Sequence, residues 1–124
     1  MTESDVYVRL GEAGFDRLIT AFYDRVKTDD LIGRMYPSED WEGAKARLRD
    51  FLIQRFGGPT RYSDQRGHPR LRMRHAPFSI GPAERDRWLQ LMADAIRTCN
   101  IDADIAQLLW HYFVSTAEHM MNRA

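Results

Sequence analysis

Residues 60–80 show neither helical nor strand periodicity, yet they lie between two pairs of strongly amphipathic runs. A stretch of roughly twenty residues without a long element is uncommon inside a compact domain, and it is either functional or disordered. Its charge favours function. Arg61, Arg66, Arg70, Arg72 and Arg74 meet only Asp64, a local excess of four positive charges. Pro69 can open one helical turn running to His75. Pro77 disfavours helical geometry at residue 76, so the turn stops there and holds His75 at a chain corner.

The flanking runs are simpler. Phe15, Leu18, Ile19, Phe22, Tyr23 and Val26 recur at helical spacing and predict a helix over residues 14–27. Asp29, Asp30, Gly33 and Pro37 break it, and a short turn over residues 31–36 follows. A second helix, with Ser38 and Asp40 as capping groups, repeats the pattern at Trp41, Ala44, Leu48, Phe51, Leu52 and Phe56 until Gly57, Gly58 and Pro59 end it. Gly81 and Pro82 open a third, marked by Trp88, Leu89, Met92, Ala95, Ile96 and Cys99. A fourth starts near Asp102 or Asp104 and carries Ile105, Leu108, Leu109, Tyr112, Phe113, Ala117 and Met120. No run alternates as a half-buried strand does, so the expected fold class is all-α. The cationic excursion is too long for a symmetric bundle with short loops.

Composition narrows the function classes. The 124 residues fit a single domain, expected over 1–124, and 18 basic side chains balance 18 acidic ones. Such balance argues against a nucleic-acid or membrane platform, because both kinds of binding lean on net charge. No apolar run approaches the ~20 residues that span a bilayer. The charges at Glu3, Asp5, Arg9, Glu12, Asp16 and Arg17 leave no apolar stretch for a secretory signal. Cys99 is the single cysteine, which excludes a disulfide framework and points to a reducing, cytoplasmic setting.

Phosphate-binding glycine loops, nucleophile elbows, paired zinc cysteines and the H-E-x-x-H motif are all missing from the sequence. Cys99 falls on an apolar helix face and reads as an inert thiol. His111 and His119 are eight residues apart, about 12 Å along a helix axis, too far to share one metal ion. His75 stands apart from them. Iron in a porphyrin needs only one protein nitrogen, and the neighbouring arginines suit a ligand that carries carboxylates.

The block RGHPRLRMRHAPF at residues 66–78 resembles the group II truncated haemoglobins. So do FYDRV at 22–26, MYP at 35–37, FGGP at 56–59 and ERDRW ending at Trp88. The likeness runs from about Phe15 to the last helix. It implies a two-over-two helical sandwich, a shortened globin whose proximal helix is reduced to a short turn within a long loop, with haem b as cofactor. It also implies His75 as the iron ligand, with Tyr23, Tyr36 and Trp88 as the distal polar groups. Ala44, Leu48, Phe51, Phe78 and Met92 would lie against the haem, and Arg47, Arg74, Tyr62 and His68 near its propionates. Many group II members have Tyr-Trp before the Gly-Gly break, where this chain has Arg55-Phe56; Arg55 is thereby a further candidate for a carboxylate.

The implied function is binding of O2, NO, CO or peroxide with slow release, for NO dioxygenase-like or peroxidase-like chemistry rather than oxygen transport. A separate reductase would then be needed, and the chain would be a monomer or homodimer. Two alternatives remain at this point: a storage or sensing module without turnover, and a haem-free helical domain that binds an anionic partner through the arginines from 61 to 74.

Overall fold

The computed structural model describes residues 1–36 and 38–124. Pro37 of the MYP motif and the side chain of Arg72 lie outside the described residues. Six α-helices are present among them: α1 (Val6–Val26), α2 (Trp41–Arg55), α3 (Arg61–Arg66), α4 (Leu71–His75), α5 (Pro82–Thr98) and α6 (Ala103–Met120). No strand occurs among these residues, as the all-α expectation requires.

Helix α1 begins earlier than its apolar stripe suggests, because Gly11 adopts φ 77° and joins a short leading turn to the main helix across a kink. Only glycine enters that region freely. The stripe then buries Phe15, Leu18, Ile19, Phe22, Tyr23 and Val26 along one side. Helix α2 ends at the Gly-Gly-Pro break. There Gly57 has φ 99°, and a side chain would run into the Ser4 carbonyl. Pro82 occupies the first turn of α5, where its missing N–H costs nothing, and the Glu84 carboxylate accepts the Gly81 N–H at 2.8 Å.

Helix α1 packs on α2 and on α5, α5 packs on α6, and α4 packs on α6. The result is the two-over-two sandwich. Its centre is sealed by Phe15, Phe22, Leu52, Phe56, Met92, Leu109 and Phe113, each at most 2 % exposed.

The stretch at 60–80 is less irregular than expected. Besides the single turn predicted up to His75, found as α4, it contains α3, which periodicity does not announce because only Tyr62 of its six residues is buried. Gln54 of α2 secures α3 from outside: its Oε1 accepts the Ser63 N–H at 2.9 Å and its Nε2 donates to Ser63 Oγ at 2.7 Å.

Candidate functional site

A cavity of about 540 Å³ opens where α1, α2, α4, α5 and α6 meet. That volume lies within the roughly 300–1,000 Å³ typical of cofactor pockets. Tyr23, Tyr36, Ala44, Arg47, Leu48, Phe51, Arg74, His75, Phe78 and Trp88 all line it, so ten of the side chains singled out in the sequence converge on one space.

His75 stands at the end of α4. Its Nδ1 lies 2.7 Å from the Leu71 carbonyl oxygen, which can only accept, so Nδ1 carries the proton. The Nε2 lone pair is therefore left for a ligand, and the carbonyl contact fixes the tautomer as it does in many metal-bound histidines.

The polar donors form an aromatic cluster. Tyr23 packs edge-on to Tyr36 at 5.4 Å and to Trp41 at 5.2 Å, while Trp88 sits 5.1 Å from Phe22 and 5.5 Å from Phe113. The Tyr23 hydroxyl donates to the Ala44 carbonyl at 3.4 Å, a long bond that a better acceptor in the cavity can displace. Burial raises the Tyr23 pKa far above the ordinary tyrosine value; Tyr36 adds to the effect and Arg47 opposes it. Burial likewise pushes Tyr36 up to about 12, with the neighbouring Trp88 pulling the other way. Both groups are thus neutral donors at any physiological pH.

The same shifts predict an alkaline loss of stability. Below pH 10 the tyrosines are protonated whether the chain is folded or not, and their contribution is complete. As the pH rises from 10 towards 12, the unfolded chain releases protons that the folded one keeps, so stability must fall. Thermal melts of the cofactor-free protein should lose about 1–3 kcal/mol over that window on account of Tyr36. Tyr36→Phe should flatten the slope, and an unchanged slope in that variant would refute the assignment.

Four sequence candidates stand elsewhere. Met92 is fully buried in the core cluster, one turn beyond Trp88, and does not reach the cavity. Tyr62 is buried behind Phe51, their rings 5.4 Å apart, so it supports the wall without forming it. His68 is exposed, and its Nδ1 accepts the Arg70 N–H at 3.2 Å, steadying a left-handed residue before α4. Arg55 does find a carboxylate, but it is Glu3, at 3.1 Å. Its guanidinium lies 4.6 Å from the centre of the Tyr112 ring. Cys99 is half-buried and its thiol is shifted upward by burial, as suits an inert group.

Sequence reasoning missed part of the wall. Tyr112, Phe113 and Met120 of α6 and Ile80 also line the cavity. The apolar spacing of the three α6 residues was visible, but spacing does not tell a core neighbour from a cofactor. Arg66 and Arg85 join Arg47 and Arg74 around the space. Arg47 is held by Asp40 at 3.0 Å, and Arg74 Nε donates to the Pro69 carbonyl at 2.8 Å.

These features suit a flat, largely apolar macrocycle with carboxylate arms. The walls are mainly apolar, four guanidinium groups border them, and one imidazole turns its Nδ1 to a carbonyl and leaves its Nε2 for a ligand. Among the described residues, no three His, Cys, Asp or Glu side chains gather to hold a bare metal ion, whereas a porphyrin brings its own four nitrogens.

Comparison with known proteins decides the family. The profile of the bacterial-like globins matches residues 5–122. The chain belongs to the bacterial-like globin family. A group 2 truncated haemoglobin of Bacillus subtilis is 37% identical over 117 residues, covering 94% of this chain and 88% of that one. Among solved structures, the haemoglobin of Chloroflexus aurantiacus superposes with a TM-score of 0.91 at 46% identity, covering 95% of this globin and 98% of that chain. A truncated oxygen-avid haemoglobin from Bacillus subtilis gives 0.90 at 36% identity, covering 94% and 98%. The resemblance carried by RGHPRLRMRHAPF is borne out. As a globin of this kind, the protein takes haem b and binds small gaseous ligands such as O2.

Proposed function

We propose that residues 1–124 form a single haem-binding domain that holds O2 with slow release and uses it in redox chemistry with NO or peroxide. The convergence of Tyr23, Tyr36 and Trp88 on the cavity that His75 also lines carries this reading. When bound, haem supplies the site for the diatomic ligand and the one-electron chemistry; the chain supplies everything that tunes it. His75 binds the iron through Nε2. Arg47, Arg66, Arg74 and Arg85 are the cations available to the propionates. Ala44, Leu48, Phe51 and Phe78 keep water from the site.

Slow release follows from the donors. Tyrosine hydroxyls and an indole N–H can each hydrogen-bond a ligand that gains negative charge, and each such bond contributes about 0.5–1.5 kcal/mol, more against full charge. Two or three together slow escape by orders of magnitude, which suits turnover better than delivery. The description of a Bacillus subtilis relative as oxygen-avid agrees.

Dioxygenation of NO combines one NO and one O2 with one electron to give nitrate, so every turnover consumes an electron. A separate reductase must supply it in this reading. The protein acts in the cytoplasm, as a monomer or homodimer. No described helix is long and apolar enough to cross a membrane. The haem-free alternative loses its footing because globins of this family take haem b.

Turnover is directly measurable. With O2 and a reductant present, the holoprotein should remove many equivalents of NO per haem and form nitrate in equal amount. Consumption that stops at one equivalent would leave a storage or sensing module instead.

A further inference from the structure

Beyond α6 the chain runs back across the segment that follows His75. Residues 75–81 leave α4, a helix of only five residues, and the bonds they make locally are two turn contacts: Ala76 N–H to the Met73 carbonyl at 3.2 Å and Phe78 N–H to the His75 carbonyl at 3.0 Å. So short a helix has little stability of its own. Further backbone groups of the segment bond to Asn122 and Arg123. Asn122 Oδ1 accepts the Ile80 N–H at 2.8 Å, while its Nδ2 donates to the Phe78 carbonyl at 2.6 Å and, more weakly, to the His75 carbonyl at 3.5 Å. The Ile80 carbonyl accepts both the Asn122 N–H at 2.9 Å and the Arg123 N–H at 3.3 Å.

Arg123 completes the attachment. Its Nε donates to Ser79 Oγ at 2.7 Å, and its Nη2 meets Glu84 Oε1 at 2.6 Å. That same oxygen accepts the Gly81 N–H, so a buried carboxylate ties the segment to the start of α5. The guanidinium occupies the space where a side chain on residue 81 would stand, so a larger residue there would displace Arg123.

We propose that Asn122 and Arg123 form a clasp that positions His75 in the cavity. The imidazole has two anchors: the Leu71 carbonyl fixes the ring from within α4, and the clasp fixes the backbone from the far end of the chain. Phe78 and Ile80, on the clasped segment, also line the cavity, so the clasp sets that wall together with His75. Partners behind a metal-bound histidine commonly change affinity ten- to a hundredfold when removed. The clasp rests on the proposed ligation by His75, and it acts on the bond through the backbone.

The test uses resonance Raman spectra of the ferrous holoprotein together with the rate of haem transfer to an excess of another apo-globin. Asn122→Ala should move the iron–histidine stretching band to lower frequency, broaden it, and speed haem transfer about tenfold. Asn122→Asp keeps the acceptor for Ile80 but sets a carboxylate oxygen against two carbonyls, so it should shift both readouts the same way even if the alanine variant fails to fold. Arg123→Lys, which retains a cation near Glu84, should recover most of the loss seen in Arg123→Ala. Arg97→Ala, at an exposed pair with Asp94, should leave both readouts unchanged. A band and transfer rate equal to the parent's in the folded Asn122 variants would overturn the clasp alone. A parent spectrum with no band dependent on His75 would overturn the ligation and the clasp with it.

Discussion

Trp88→Phe should release O2 at least about tenfold faster than the parent, a loss of about 1.4 kcal/mol. The substitution keeps an aromatic ring against Phe22 and Phe113 while removing the indole N–H together with the second ring. That N–H can only donate. It lies beside the Tyr36 hydroxyl and opposes the rise in that group's pKa, so its removal also alters the surroundings of a second donor. Tyr23 cannot compensate without giving up its bond to Ala44. Stopped-flow release monitored by replacement with CO reads the effect. Release as slow as in the parent would mean that Trp88 is a packing residue only, a role its place in the aromatic cluster would also fill.

The largest effect is expected at His75. His75→Gly removes the one imidazole that lines the cavity, and haem affinity should fall at least about 100-fold. A ligand that binds only the folded chain stabilises it by mass action, about 2.7 kcal/mol at a hundredfold excess over Kd. Added haem should therefore raise the melting temperature of the parent much more than that of the variant. Imidazole in solution fits the space left by the side chain and should restore part of the affinity. A variant that binds haem as tightly as the parent would assign the iron to another residue.

Three of the four long helices were legible because each buries one stripe that survives in the sequence at 3.6-residue spacing, as Phe15 to Val26 and Ile105 to Phe113 do; α2 buries Ala44 and Ile53 on opposite sides and lines the cavity with Leu48 and Phe51. Helix α3 was not legible, since a single buried tyrosine makes no stripe and the helix is held by Gln54 from a different element. The start of α1 was hidden for another reason: a glycine at φ 77° interrupts the helix before its periodic part begins.

The site was legible where chemistry is local. His75 stood out through its arginine and proline neighbours, and the RGHPRLRMRHAPF block located it within a family. Met92 lies in the core and Tyr112 on the cavity wall, although apolar spacing gives both the same signature. The Asn122 and Arg123 contacts with residues 75–84 span some forty positions, and no local pattern encodes such a pairing.

The most direct test of the account is the visible absorption spectrum of the purified chain titrated with haem b, recorded ferric, ferrous and with CO, beside His75→Gly. The parent should show a Soret band that saturates at one haem per chain and a ferrous spectrum with histidine as the only protein ligand, and the variant a changed spectrum that imidazole restores. No Soret band after reconstitution, or identical spectra for parent and variant, would contradict it.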